Sequence, residues 1–156
     1  MAAPGMLRAL APGDAGEVLT LQRAAFVTEA QAHDDPGLPP LTQTLAELRA
    51  EIEDPSCRGW TVREAVRLVA CVRVHVSDDV ADLVRLIVAP DRQGDGIGTR
   101  LLRAAEDRLP SRIREIRLFT GERSYANLRL YERHGYRRTH TTAAAGYRLV
   151  HLAKQR

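Results

Sequence analysis

Cysteine is scarce in this 156-residue chain: Cys57 and Cys71 are the only two. A disulfide-rich scaffold is excluded, and the pair fits no zinc-motif spacing. Two reduced, buried thiols are the expectation, and the sequence points to no bound metal. Lysine is scarcer still, since every basic residue except Lys154 is arginine. Aromatic residues make up only 4% of the chain, so nucleic acid has few rings to stack on. The net charge of +3 and the pI of about 9.2 do not reverse that. The arginines run from Arg8 to Arg156 among 20 acidic residues and form no basic stripe. No nucleic-acid partner is expected. Long apolar runs are absent as well: none approaches the ~18 residues of a membrane span. Met1 to Leu10 lack the apolar core of a signal peptide. No membrane partner and a cytoplasmic location are therefore expected.

What is present is an ordinary globular composition, 44% hydrophobic and 28% charged. The length fits one domain over residues 1–156. Leu7 to Leu10 read as a first strand. Asp14 and Glu17 have capping-box spacing before an apolar helical pattern, which predicts a helix from Ala15 to Ala32. Asp35 to Pro40 is a proline-rich loop. Thr44 and Glu47 repeat the capping signal, and the second helix runs to Glu53 before Asp54-Pro55. Three strands follow: Trp60 to Glu64, the β-branched run Val66 to Val76, and Leu83 to Val88, with a turn at Ser77-Asp78-Asp79. The third is almost wholly apolar, as a central strand should be. A helix carrying Ile97, Leu101, Leu102 and Ala105 then leads to a strand at Glu115 to Thr120. A short helix from Ser124 to His134 ends at Gly135, and a hairpin of Tyr136 to Thr142 with Tyr147 to Leu152 closes the chain. The order β-α-α-β-β-β-α-β-α-β-β predicts an α/β (α+β) fold with a mixed, mostly antiparallel sheet flanked by helices.

The most informative segment is Val88 to Leu102, VAPDRQGDGIGTRLL. A buried strand ends, a glycine-rich turn follows, and a helix starts at once. That layout gathers backbone N–H groups at a helix N-terminus, where the dipole also favours an anion. Three glycine turns bind phosphates this way. A P-loop needs Gly-Lys-Ser/Thr, and Gly98 is followed by Thr99-Arg100. The dinucleotide fingerprint needs G-x-G-x-x-G in a βαβ unit, and here the glycines at 94, 96 and 98 alternate after an antiparallel meander. The third is the Q/R-x-x-G-x-G/A turn that cradles the pyrophosphate of coenzyme A, and Gln93-Gly94-Asp95-Gly96-Ile97-Gly98 matches it. On this turn, its flanks Val88-x-Pro90 and Leu101-Leu102, and the element order, the chain resembles the GCN5-related N-acetyltransferase family from Leu7 to Leu152.

A second segment, SYANLRLYERHGY from Ser124 to Tyr136, is similar to that family's second motif in Asn127, Tyr131, Gly135 and Tyr136. Their spacing puts Asn127 and Tyr131 on one helix face. The resemblance implies acetyl-CoA as cofactor, bound by Leu86, Ile87, Val88, Gln93, Gly94, Asp95, Gly96, Ile97, Gly98, Thr99, Asn127 and Tyr131. It also implies that Leu86 to Val88 splay away from Arg117 to Phe119 to receive the pantetheine arm. Tyr131 would serve as general acid to the departing thiolate, a task a phenol of ordinary pKa about 10 can perform. Asp95 should face solvent or pair with Arg92 or Arg100, because a carboxylate turned to the pyrophosphate would repel it.

Two readings of Asp82 stay open: a general base acting through water, or a turn residue of the Ser77 to Asp82 segment. Glu29, His33, Asp34 and Asp35 form an acidic group in the region that shapes the acceptor pocket in the family. Glu29, His33 and Asp34 are the acceptor-pocket candidates. A contiguous His33-Asp34-Asp35 triplet converges poorly on one metal. The resemblance implies direct attack by a primary amine in a ternary complex, and no Cys or Ser motif demands an acyl-enzyme. A small-molecule amine is favoured over a protein N-terminus or Lys. The alternative is a non-catalytic acyl-CoA-binding regulatory module. The resemblance further suggests a homodimer through the C-terminal strands.

Overall fold

The computed structural model describes residues 5–156. One seven-stranded sheet organises them. Its strands are β1 (Met6–Ala9), β2 (Cys57–Glu64), β3 (Arg67–Ser77), β4 (Val80–Val88), β5 (Glu115–Gly121), β6 (Arg137–Ala143) and β7 (Arg148–Gln155). The spatial order is β1-β2-β3-β4-β5-β7-β6, antiparallel except where β4 meets β5. The helices are α1 (Ala15–His33), the single turn α2 (Pro39–Thr42), α3 (Leu45–Glu53), α4 (Ile97–Arg108) and α5 (Tyr125–Arg133). None is long and apolar enough to cross a membrane among the described residues. The anticipated order therefore holds, with one helical turn added inside the proline-rich stretch.

The two capping signals fare differently. Thr44 Oγ1 accepts from the Glu47 amide at 3.2 Å and Glu47 answers to the Thr44 amide at 3.2 Å, a complete capping box. Asp14 does not cap α1. A 3₁₀ turn at Pro12–Asp14 precedes the helix, and the Asp14 carboxylate instead accepts from the Ala11 amide and from Arg63. An ion pair across to β2 has claimed the side chain that the cap needed.

Every second residue of β3 is apolar and buried toward α4: Ala70 pairs with Val88, and Val88 lies beside Gly98 of α4. The opposite face meets α1 and α3. There Arg73 is fully buried, its Nε bonded to Glu51 and its Nη2 to Gln22 Oε1 at 2.9 Å. Gln22, also fully buried, donates to the Pro40 carbonyl at 2.9 Å. This network fixes α1, α2 and α3 on one face of the sheet.

The strand ladder between β4 and β5 decides where a site can form. Pairing covers only Val80↔Glu115, Ala81↔Ile116 and Asp82↔Arg117. Both strands run on past that point, β4 to Val88 and β5 to Gly121, without further pairing to each other. A register shift of β3 against β4 lies beside the parting, between Arg73 and Val74. Such a bulge bends a strand and increases its twist. Leu86 to Val88 are thus free of β5 as expected, but the expected bounds on β5 shift: Arg117 is still paired with Asp82, and the parting begins after it.

Candidate active site

A cavity of about 470 Å³ opens where β4 leaves β5. Its walls come from α1 (Ala25, Phe26, Thr28, Glu29), β4 (Leu86, Ile87, Val88), the glycine turn into α4, and α5 (Ala126, Asn127, Leu130, Arg133). The turn contributes Arg92, Gln93, Gly94, Gly96, Ile97, Gly98 and Thr99. Ten of the twelve residues expected to hold a cofactor therefore line one space. The other two are Asp95 and Tyr131.

The turn is built for close backbone approach. Gly94 and Gly96 have φ of +87° and +82°, a region L-residues enter at a cost. No atom lies within 4 Å of where a Cβ on either would stand. Gly96 is the N-cap of α4, so the first-turn amides of that helix have no intrahelical acceptor. Gln93 anchors the turn by donating to the Val88 carbonyl at 3.1 Å. Arg92 donates to both Glu64 oxygens, at 2.6 and 2.7 Å, and also pairs with Asp95. Asp95 is exposed and held away from the cavity by that pair. The cradle fits a pyrophosphate: open amides, a helix dipole, and no side chain in the way.

Tyr131 is buried, 6% exposed, behind Asn127 and Leu130. Its ring meets Tyr136 edge-on at 5.7 Å. Burial, and then the nearby Glu29 carboxylate, push its hydroxyl well above the ordinary phenol range. Glu29 is the carboxylate that reaches the cavity. One of its oxygens accepts from Ser124 Oγ and the other from Asn127 Nδ2 at 3.4 Å, which joins α1 to the start of α5.

The remaining acceptor candidates do not converge there. His33 is 3% exposed and its ring packs at a tilt of 49° against Tyr147, centroids 4.6 Å apart. Its Nδ1 donates to the Glu29 carbonyl at 2.9 Å and its Nε2 accepts the Arg123 amide at 3.0 Å. Both ring nitrogens are occupied, so His33 clamps the end of α1 to the loop after β5. Asp34 is the exposed left-handed residue that ends α1, with φ of +48°. Asp35 accepts from the Tyr147 hydroxyl at 2.7 Å; burial and this bond raise the phenol to about 12. Asp82 is neither a turn residue nor part of the cavity wall. It lies inside β4, exposed, between His75 and Arg117 in register. Burial raises Cys57 to about 11 and Cys71 to about 12, so neither is a thiolate near neutral pH.

The His33 clamp yields a stability prediction. A Cβ on Gly121 would stand 2.2 Å from His33 Nε2, against a ring held from both sides. Gly121→Ala is expected to lower stability by about 1–3 kcal/mol, the range for overpacking. A shifted urea midpoint at unchanged slope is the measurement.

Sequence reasoning missed Ala25, Phe26, Thr28, Arg92, Ala126, Leu130 and Arg133 as cavity residues. On α1 only Glu29 gave a signal, because which helical residues face a site depends on how the helix docks.

Three comparisons bear on the fold. The chain superposes with a TM-score of 0.81 on the PaiA N-acetyltransferase from Thermoplasma acidophilum, solved in complex with coenzyme A, at 17% identity over 97% of this chain and 98% of that one. It matches the ribosomal-protein-S18-alanine N-acetyltransferase from Escherichia coli equally well, with a TM-score of 0.81, 17% identity, and coverage of 97% and 93%. At such identity the likeness is one of fold. The UPF0157 protein YqkA of Bacillus subtilis (strain 168) is 26% identical over 131 residues, and the match spans 84% of this chain but only 37% of that protein's length. Residues 21–136, from α1 through the glycine turn to the end of α5, match the model of the acetyltransferase (GNAT) family, and the chain belongs to that family.

Proposed function

We propose that this protein is an N-acetyltransferase that uses acetyl-CoA to acetylate a primary amine on a small molecule. The observation that carries this reading is the coincidence of two features on one cavity. The positive-φ glycine turn at the N-terminus of α4 faces it, and β4 borders it with a stretch that β5 has left unpaired. Acetyl-CoA supplies an activated acetyl thioester. The amides of the Gly94 to Thr99 turn hold its pyrophosphate. The free edge of Leu86 to Val88 pairs with the amides of its pantetheine arm, as an added strand does. Asn127 is placed one helical turn before Tyr131 to steer the same arm.

Two groups handle protons. Glu29 takes one from the attacking amine, replacing Asp82 in the role of base. It is the carboxylate on the cavity, and it also draws a cationic amine inward. Tyr131 gives its hydroxyl proton to the departing sulfur. A non-catalytic acyl-CoA-binding module would need neither group, which is why the enzyme reading is preferred.

The test is acetyl-CoA binding by calorimetry, followed by release of free thiol in the presence of a panel of small amines. Binding with amine-dependent thiol release supports the proposal. Binding without release under any amine points to the regulatory module, and absence of binding to folded protein rejects both. Glu29→Gln is expected to lose about tenfold in kcat/KM at pH 7, since amine already neutral in solution bypasses the base. The variant's rate should rise with pH in step with the neutral fraction of the amine, so that the deficit narrows at high pH, while acetyl-CoA affinity stays unchanged.

A further inference from the structure

Away from the cavity, the sheet face under α3 gathers three side chains of metal-ligand chemistry. Glu51 comes from α3, Cys57 from the first residue of β2 and His75 from β3. Cys57 and His75 are register partners, and the carboxylate, thiol and imidazole donors all lie within 4.8 Å of one another. All three are partly buried, so the cluster is shielded yet reachable.

The surrounding hydrogen bonds orient this cluster. Ser56 Oγ donates to Asp54 Oδ1 at 2.7 Å and sits 3.3 Å from His75 Nδ1. With its proton committed to Asp54, the Ser56 oxygen is an acceptor, so the Nδ1 of His75 carries the hydrogen. The Nε2 lone pair therefore points at Glu51, whose Oε2 is 3.9 Å away. That oxygen also accepts from Arg73 Nε, and the Cys57 sulfur lies within 4.8 Å of both the carboxylate and the imidazole. Glu51 itself is fixed by Arg73 Nε and by Gln43 Nε2 at 3.3 Å. Ligating carboxylates and imidazoles are held in just this way by outer partners. Arg73 is thus an outer partner of the carboxylate, and it offsets part of the charge of the donor set.

We infer that Glu51, Cys57 and His75 form a zinc site with three protein ligands and a fourth position open to water, the Cys57 thiol giving up its proton to solvent as the zinc–sulfur bond forms. The softness of the sulfur and the imidazole selects zinc over magnesium or calcium. Closing from the present spacing to bonds of about 2.0–2.3 Å needs only small side-chain adjustment. The ligands come from three elements, so a bound ion ties α3 to the sheet. Linear spacing gives no hint of it, because 51, 57 and 75 follow no motif. The site is independent of the acetyl-transfer reading.

The experiment is a titration of untagged, reduced protein with Co²⁺, followed by displacement with Zn²⁺. The expected result is a 1:1 complex with sulfur-to-cobalt charge-transfer absorption, bleached by zinc. Cys57→Ser should abolish that band, and His75→Gln should weaken binding by at least about tenfold. Cys71, fully buried on β3, has no access to the ion and serves as the internal control. Absence of binding to wild type, or a cobalt spectrum unchanged in Cys57→Ser, overturns the proposal. Should Cys57→Ser fail to fold by circular dichroism, His75→Gln decides: undiminished affinity there overturns it equally.

Discussion

Gly96→Trp is expected to weaken acetyl-CoA binding by at least about 100-fold, with the fold retained. Two effects act together. At φ of +82° any L-residue is strained, by roughly 1–2 kcal/mol. More decisively, the space beside Gly96 is open, and an indole placed there would stand between a bound phosphate and the turn's amides. Calorimetry on wild type and variant measures the loss, and thermal unfolding monitors the fold. Gly98→Ala is the matched control. Its Cβ would meet Val88 Cγ2 at 3.7 Å, an ordinary contact, and Gly98 does not have a positive φ. Binding by Gly98→Ala should stay within about fivefold of wild type, less than 1 kcal/mol. Equal losses in both variants would mean that the turn fails by general disruption, and equal retention would remove the turn from the binding site.

That contrast between two glycines shows what the sequence makes legible. All three glycines of the turn look alike in a motif, yet only Gly94 and Gly96 need to be glycine for backbone reasons. The elements themselves were readable because periodicity reports on burial, which acts along whole segments. The site was readable in its local parts: a turn and the helix after it are neighbours in sequence. What failed were features set by contacts across the chain. Asp14 lost its cap to Arg63, 49 residues away. Three residues of strand added before Leu83 moved Asp82 out of any turn and into the ladder with β5. His33 looked like a polar residue of an acidic pocket, and its ring turned out to be wedged between Tyr147, Arg123 and Gly121. Arg73, inside a run of β-branched residues, gave no sign that Gln22 and Glu51 would neutralise it. Asp82 depends on strand pairing, and the others on docking of α1 or α3 onto the sheet, which no local pattern encodes.

Tyr131→Phe tests the other half of the chemistry. Its expected effect is a fall in kcat of about 10²–10³-fold, with acetyl-CoA affinity unchanged. Removing the hydroxyl leaves the ring, its burial and its edge contact with Tyr136 at 5.7 Å, so stability should hold. The large effect follows from the protonation state of the phenol. Burial raises the phenol, and the Glu29 carboxylate raises it further. A group so shifted keeps its proton through the whole range in which the amine becomes neutral, so the acid stays in its working form there. The basic side of the wild-type pH profile should therefore show no decline from Tyr131 below about pH 10, its unshifted value. The carboxylate proposed as base thus also helps the phenol retain its proton until the sulfur leaves. In Tyr131→Phe the sulfur must leave as a bare thiolate or find a proton from water, and the cost should fall on kcat alone. A kcat within about threefold of wild type would instead make Tyr131 a packing residue, since uniform-binding and structural roles spare the chemical step.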